Sequence, residues 1–341
     1  MRPRVAVFDP TPVVTIVVES LAGRPDIHLH AGGQGVWVTR MLLELGVEAL
    51  LCAPIGGETG TVLAVLAREE GIELRAVPHA GACGAYIDDR RSGRREEFVS
   101  QPPTPLGRHV LDELYGLFLG ECAGAAAAVL TGPREPGAVP ADTYRRLSSD
   151  CRELGATTVA DLSGDALAAA LVGGLTVLKV GEDELQEHGR LESRATVEQL
   201  VAAAHVLHDD GAENVVISRG ERPALVLIDG RLTWTRGPRL DPADHRGAGD
   251  SMTAGIAAGI AMGMPLGDAV RLGVAAGVVT VSRHGLATAG RQPIDSLLST
   301  ISLRDRPCAS DQQAYEAELQ TDAPAQRNEG DRDHAGTRDE R

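Results

Sequence analysis

The run Asp244-His245-Arg246-Gly247-Ala248-Gly249-Asp250-Ser251 carries the residue types with the clearest chemistry in this chain. Two glycines spaced by one residue let the backbone bend sharply or approach a ligand closely. A small-residue segment follows from Ser251 to Met264 and reads as a helix. The first amides of a helix have no intrahelical partner and sit at the positive end of its dipole. Gly247, Ala248 and Gly249 therefore offer a hole for anionic oxygen, phosphate above all. Asp250 would repel a resting phosphate. It suits instead the group that attacks the phosphate. A carboxylate that accepts a hydroxyl proton beside an anion hole is the minimal equipment for phosphoryl transfer to an alcohol. A helix N-terminus favours the charged carboxyl, so Asp250 is expected to be ionised at neutral pH. The competing structural reading is a capped helix behind a glycine turn.

Three other groups of residues bear on the same chemistry. Ala31-Gly32-Gly33-Gln34-Gly35 is a second glycine turn before a helix, with Gln34 offering both donor and acceptor. Lys179 is the only lysine; the other 32 of the 33 basic side chains are arginines. It lies at a strand end five residues before Glu184, and Arg246 directly precedes the anion hole. Both are candidate cations for phosphate, or else an exposed strand-end lysine and an exposed loop arginine. Arg90, Arg91, Arg94 and Arg95 cluster at a hairpin tip, either as a solvated turn or as an anion-binding flap.

The elements that must position these residues alternate. Strands are expected at Val5–Phe8, Val13–Val18, Val47–Ala53, Ala125–Leu130, Thr157–Leu162, Leu175–Val180 and Val215–Ser218. Helices are expected at 36–45, after Gly60 through Glu69, and at 108–120, 143–154, 196–209, 251–262 and 266–283. Gly84–Asp89 with Arg94–Ser100 and Pro223–Ile228 with Leu232–Thr235 read as hairpins. Strand and helix in turn imply a mostly parallel sheet. Glycine and polar signals recur just after strand ends, near Gly132, Gly164, Gly181 and Gly220, which places one ligand edge at the carboxyl ends of the strands. From about Arg304 apolar patterning fades, so 303–341 reads as a disordered tail behind a domain spanning 1–302. No internal repeat is evident.

Composition narrows the partners. A net charge of −15 argues against nucleic acid, and it requires any phosphate site to be built locally. No apolar run reaches about 18 residues, which argues against a membrane span. The first residues lack the features of a signal peptide, so a cytoplasmic protein is expected. The 5 cysteines are scattered and never form a Cys-x-x-Cys pair, which points to reduced thiols.

Taken in order, these stretches resemble the ribokinase-like (PfkB) carbohydrate kinases over residues 3–300. Asp244-x-x-Gly247-Ala248-Gly249-Asp250-Ser251-Met252-x-Ala254-Gly255 is similar to the family's C-terminal signature, and Gly32-Gly33-Gln34-Gly35 to its N-terminal one. Thr131-Gly132, Asp161-Leu162-Ser163-Gly164 and Leu178-Lys179-x-x-x-Asp183-Glu184-Leu185 resemble its phosphofructokinase and tagatose-phosphate kinase branch. The resemblance implies a three-layer α/β/α sandwich with a mostly parallel central sheet. A small β lid, formed by about 11–30 and 84–100, would cover the sugar. It implies ATP with Mg²⁺, Asp250 as catalytic base, Gly247, Ala248 and Gly249 as anion hole, and Arg246 beside them. Lys179, Ser218, Gly220 and Ser251 would serve the nucleotide, and Glu184 the magnesium ion through water. Gly32, Gly33 and Gln34 would touch the sugar, with Arg90 and Arg91 available for a sugar phosphate. A homodimer through the lid is a further expectation.

The chain departs from the family pattern in three places. The family's first strand often ends Asn-Pro-x-x-Asp, where this chain has Asp9-Pro10-Thr11-Pro12-Val13-Val14. Gly-Gly-Lys-Gly of the sugar-phosphate branch is Gly-Gly-Gln-Gly, and the asparagine of Asn-x-x-Glu is Gly181. A kinase of a hexose phosphate is the expected activity. The alternatives are a kinase of an unphosphorylated sugar or nucleoside, and a silent sugar or nucleotide sensor. A dinucleotide oxidoreductase fits poorly, because neither turn reads Gly-x-Gly-x-x-Gly with an acid about 20 residues on.

Overall fold

The apolar run Val5–Phe8 alternates between two cores, and that alternation sets the architecture. Val5 and Val7 enter one buried cluster; Ala6 and Phe8 enter the other. A strand buried on both faces must lie inside a layered sheet. The computed structural model describes residues 3–92, 95–238, 240, 246–282 and 289–306. These belong to a unit ending at Arg306. The tail, together with Asp244, His245 and Arg94, lies outside the described residues.

The chain opens with β1 (Arg4–Phe8). A hairpin, β2 (Val13–Leu21) and β3 (Arg24–Gly32), turns at Ala22 and Gly23, both at positive φ. Then come α1 (Gln34–Glu44), β4 (Glu48–Ile55), α2 (Gly57–Glu69) and β5 (Glu73–Pro78). A second hairpin is β6 (Gly84–Asp89) and β7 (Glu96–Gln101). The α/β alternation resumes with α3 (Arg108–Cys122), β8 (Ala127–Thr131), α4 (Ala141–Glu153), β9 (Thr158–Asp161), α5 (Gly164–Gly173) and β10 (Leu175–Gly181). The short α6 (Glu182–Glu187) and α7 (Val197–Asp209) lead to β11 (Ala212–Arg219), β12 (Arg222–Ile228) and β13 (Arg231–Arg236). Last are α8 (Ala248–Ala261), α9 (Leu266–Val281), α10 (Arg291–Leu298) and β14 (Ser302–Arg304).

The central sheet has ten strands in the order β14-β13-β12-β11-β10-β9-β8-β1-β4-β5. It is parallel from β11 to β5 and antiparallel in its last three pairings. Helices α1, α2, α8, α9 and α10 pack on one face and α3 to α7 on the other. This is the three-layer sandwich expected from the resemblance. The order turns at β1, which lies between β8 and β4, so a crevice opens at its carboxyl end. The lid is a separate four-stranded sheet, β3-β2-β6-β7. No helix among the described residues is long and apolar enough to cross a membrane.

The structure adds β3, β5, α5, the short α6, α10 and β14 to the elements read from sequence. β3 is largely exposed, so its sequence carries no buried alternation to reveal it. α5 is almost uniformly apolar and small, which erases the helical period. The helix after the anion hole also starts earlier than expected, at Ala248 rather than Ser251, because Gly247 at φ 72° caps it.

Helices α8 and α9 approach through glycines. A Cβ on Gly255 would stand 2.5 Å from the Gly273 Cα and 2.8 Å from its nitrogen. In an open helix Gly→Ala gains about 1 kcal/mol, but here overpacking against backbone costs about 1–3 kcal/mol. Gly255→Ala is therefore expected to lower the thermal midpoint, measured by scanning calorimetry; an unchanged or higher midpoint contradicts the close packing.

Candidate active site

Four carboxyl-edge elements, β9, β10, α6 and α8, converge on a single ammonium. Lys179 near the end of β10 stands opposite Asp161 of β9 in the parallel register. Its Nζ lies 3.1 and 3.0 Å from the two Asp161 oxygens, and both residues are buried. The Thr253 hydroxyl of α8 donates to Asp161 Oδ2 at 2.7 Å. A Cβ on Gly249 would stand 2.8 Å from Lys179 Nζ, so only glycine lets the ammonium lie against the helix start. Burial pulls the lysine pKa down. Asp161, Glu184 and Asp250 outweigh it, and the net direction is upward. Lys179 is thus a buried, ion-paired cation beside the start of α8, not the exposed strand-end lysine of the structural reading.

Asp250 is the third residue of α8, and its environment overturns the expectation that it is ionised at neutral pH. Burial comes first, then the Asp161 charge, opposed by Lys179; Glu184 adds to the rise and its own amide opposes it. The outcome is a carboxyl pushed up to about 8. The helix dipole, weighed alone in the sequence, is the smaller effect here. Glu184 sits beside it at the start of α6 and accepts the Gly181 amide at 2.6 Å. Burial raises its pKa as well, against the pull of Lys179.

These groups line one cavity of about 460 Å³. Ser218, Gly220 and Lys179 line it as expected, together with Asp183 and an apolar wall of Val274 and Val278. Ser251 does not belong to it. It is fully buried, and Thr280 of α9 donates to its hydroxyl at 2.9 Å, so it serves the contact between α8 and α9. The Oε1 of Gln34 accepts the Gly132 amide at 2.9 Å and its Nε2 donates to the Asp161 carbonyl at 3.3 Å. That side chain ties the Gly32-Gly33 turn to the ends of β8 and β9.

The arginines fall differently from the sequence reading. Arg91 folds back onto Asp89 at the exposed hairpin end, and Arg90 lies 4.0 Å from Glu19. Neither lines the cavity. The sequence reading has Arg246 reach a phosphate held by the α8 amides. Instead its Nη1 lies 3.2 Å from Asp88 and 3.4 Å from the Tyr86 hydroxyl, on the lid. Three guanidiniums gather on the Tyr86 ring: Arg134 at 4.7 Å, Arg246 at 5.2 Å and Arg95 at 5.8 Å. Asp88, fully buried, pairs with Arg95 at 2.7 Å and with Arg246, while Glu97 stands 3.5 Å from Arg134. Arg134 follows β8, and its amide donates to Thr11 Oγ1 at 2.9 Å. Sequence reasoning missed Arg134 and Tyr86, and it quoted Asp161 within a motif without giving it a role. Asp161 and Arg134 each stand at or just past a strand end, which is the available signal.

Comparison with known proteins identifies the family and agrees with the fold. The family model "pfkB family carbohydrate kinase" matches residues 5–293. An ATP-dependent 6-phosphofructokinase isozyme 2 of Mycobacterium tuberculosis is 31% identical over 307 residues, covering 86% of this chain and 88% of that protein. A 1-phosphofructokinase of Bacillus subtilis is 30% identical over 263 residues, covering 76% and 84%. Among solved structures, a single-site mutant of Escherichia coli phosphofructokinase-2 aligns with a TM-score of 0.78 at 25% identity, covering 88% of this chain and 99% of that one. The tetrameric inhibited form of the same protein gives 0.77 at 24%, with the same coverage.

If Asp250 accepts the proton, the free protein must lose one before it can act. The limb of kcat/KM that rises with pH should lie near pH 8, because that profile reports the free enzyme. Lys179→Met removes the charge that opposes the shift and should move the limb to higher pH. Asp250→Asn should lower kcat by roughly 10²-fold or more. Near-normal turnover of Asp250→Asn in steady-state kinetics removes Asp250 from this role, whereas a limb near about pH 4 shows that its carboxyl is not raised.

Proposed function

Because the chain belongs to the pfkB family of carbohydrate kinases, we propose that it transfers the γ-phosphate of ATP to a hydroxyl of a phosphorylated hexose. The observation that carries the substrate class is the arginine cluster on Tyr86. It stands between the Gly32-Gly33-Gln34 turn, reached through Arg134 and Thr11, and the anion hole, reached through Arg246. Among the described residues it gathers three guanidiniums whose carboxylate partners are Asp88, Glu97 and Glu135, a local concentration of guanidinium forks in an acidic chain. Guanidinium forks match phosphate oxygens bidentately. They take the place of the lysine that Gln34 replaces. The relatives' names support a hexose phosphate and leave both fructose phosphates in view.

In this reading the nucleotide occupies the cavity lined by Ser218, Gly220, Val274 and Val278, with its phosphates towards the first amides of α8. The sugar hydroxyl approaches Asp250, which takes its proton as the phosphoryl group leaves the nucleotide. The Ala248 and Gly249 amides and the Lys179 ammonium face the negative charge that develops there. Magnesium fits the site only through intermediaries. Among the described residues no group of three His, Cys, Asp or Glu stands close enough to hold a metal. Glu184 presents one carboxylate oxygen while the other holds the Gly181 amide. Glu184 and its neighbour Asp183 would hold the ion through water, and a bound ion would offset phosphate charge there.

The lid supports a second chain. Ile16, Ile87, Leu29 and Val99 share one lid face by register, and Val18 and Ile27 continue it. Ile27 is 60% exposed, Leu29 45% and Val99 49%, an apolar strip that a homodimer would cover.

Two measurements test this function. ATP consumption across phosphorylated and free hexoses should favour the phosphorylated ones, and Arg134→Ala should raise KM for the sugar phosphate on the order of tenfold or more while leaving KM for ATP unchanged. Equal rates with free hexoses exclude the phosphorylated substrate. Sedimentation velocity should give a two-chain species that Leu29→Glu splits into single chains; a monomeric wild type excludes the lid dimer.

A further inference from the structure

Asp9 directly follows β1, at the point where the sheet order turns, and it is 1% exposed. The Thr11 amide donates to its Oδ1 at 3.2 Å. The Val36 amide, in the first turn of α1, also favours its ionised form. Its Oδ2 is buried with no hydrogen-bond partner among the described residues. Such an oxygen is costly and calls for an explanation. The position supplies one. The N-cap of α1 is Gly33, which has no side chain to cap the helix. A Cβ on Gly35 would stand 2.7 Å from Asp9 Cγ and 2.8 Å from Oδ2, and one on Gly33 3.5 Å from Oδ2. The carboxyl therefore packs directly against Gly33-Gln34-Gly35, in space that the missing side chains leave open.

Resting on the reading that the sugar binds this turn, we propose that Asp9 is its positioning residue. The carboxyl stands in for the absent cap by accepting the Thr11 amide while packing against the Gly33-Gln34-Gly35 backbone, and so fixes the backbone that meets the sugar. The family's sugar-gripping carboxylate position is Val13 in this chain, fully apolar and buried. Fixing the turn from below leaves Asp9 out of direct contact and makes its charge state matter. Burial raises its pKa to about 7, with the two amides opposing. The other titratable groups that act on it or are acted on by it are Tyr144 of α4 and Cys83 before β6, both raised by burial and so neutral near pH 7. As pH rises through about 7 the unpaired oxygen becomes a buried charge below an anionic substrate, and sugar binding weakens.

The test uses the full chain, with KM for a sugar phosphate and for ATP measured from about pH 6 to about pH 9, across the raised pKa. Wild type should show sugar KM rising through about pH 7. Asp9→Asn keeps an acceptor for the amides and cannot ionise. It should hold sugar KM near its low-pH wild-type value and lose that step, while titration of the sugar phosphate itself remains in both. Asp9→Ala should raise sugar KM on the order of tenfold with KM for ATP unchanged. Retention of the step in Asp9→Asn overturns the proposal, as does an equal effect of Asp9→Ala on both substrates. Should Asp9→Ala fail to fold, the Asp9→Asn profile decides alone. Absence of any sugar phosphorylation by wild type would instead remove the reading on which the proposal rests.

Discussion

The buried pair between Lys179 and Asp161 is the constraint on which the rest of the site depends. Two charges taken out of water are costly unless each finds the other and further hydrogen bonds complete the set. Here both Asp161 oxygens receive the ammonium, and Thr253 supplies the additional donor. The pair joins two neighbouring parallel strands to the helix that carries the anion hole. Because Gly249 has no side chain, the same ammonium reaches the helix start. One interaction therefore sets strand register, helix position and local charge together.

That arrangement gathers cations locally within an acidic chain. Asp161, Glu184 and Asp250 crowd one lysine, and burial first, then repulsion between carboxylates, raises the pKa values of Glu184 and Asp250. Positive charge is spread over two poles instead. Lys179 and the amides of α8 form one; the guanidiniums of Arg95, Arg134 and Arg246 on Tyr86 form the other. Arg246 belongs to both by position, since it adjoins Gly247 in the chain and contacts Asp88 on the lid in space. Arg246 thereby joins the lid to the turn that precedes α8.

The departures from the family pattern acquire physical readings from this geometry. A side chain on Gly181 would collide with the Asp183 carboxylate and crowd Glu184, so the missing asparagine leaves space that acidic groups already fill. Gln34 takes a bracing role in place of a lysine's charge, holding Gly132 and the Asp161 carbonyl.

The sequence by itself determined the class of fold and the glycine turn that starts α8. Those signals are local: apolar runs of strand length, helical periods, and Gly247-Ala248-Gly249-Asp250 in a fixed spacing. It also marked the ligand edge, because glycine and polar residues cluster where parallel strands end. Tertiary structure alone decided the charge states and the partners. Asp250 sits at a helix start that favours ionisation, yet its burial and two carboxylates from other elements reverse that preference. Ser251 and Arg246 flank the same motif, and only packing turns one into the contact with α9 and the other towards the lid. Arg134, Arg95 and Tyr86 are separated along the chain and carry no common spacing. Their convergence is a product of sheet order and lid register, which no local pattern encodes.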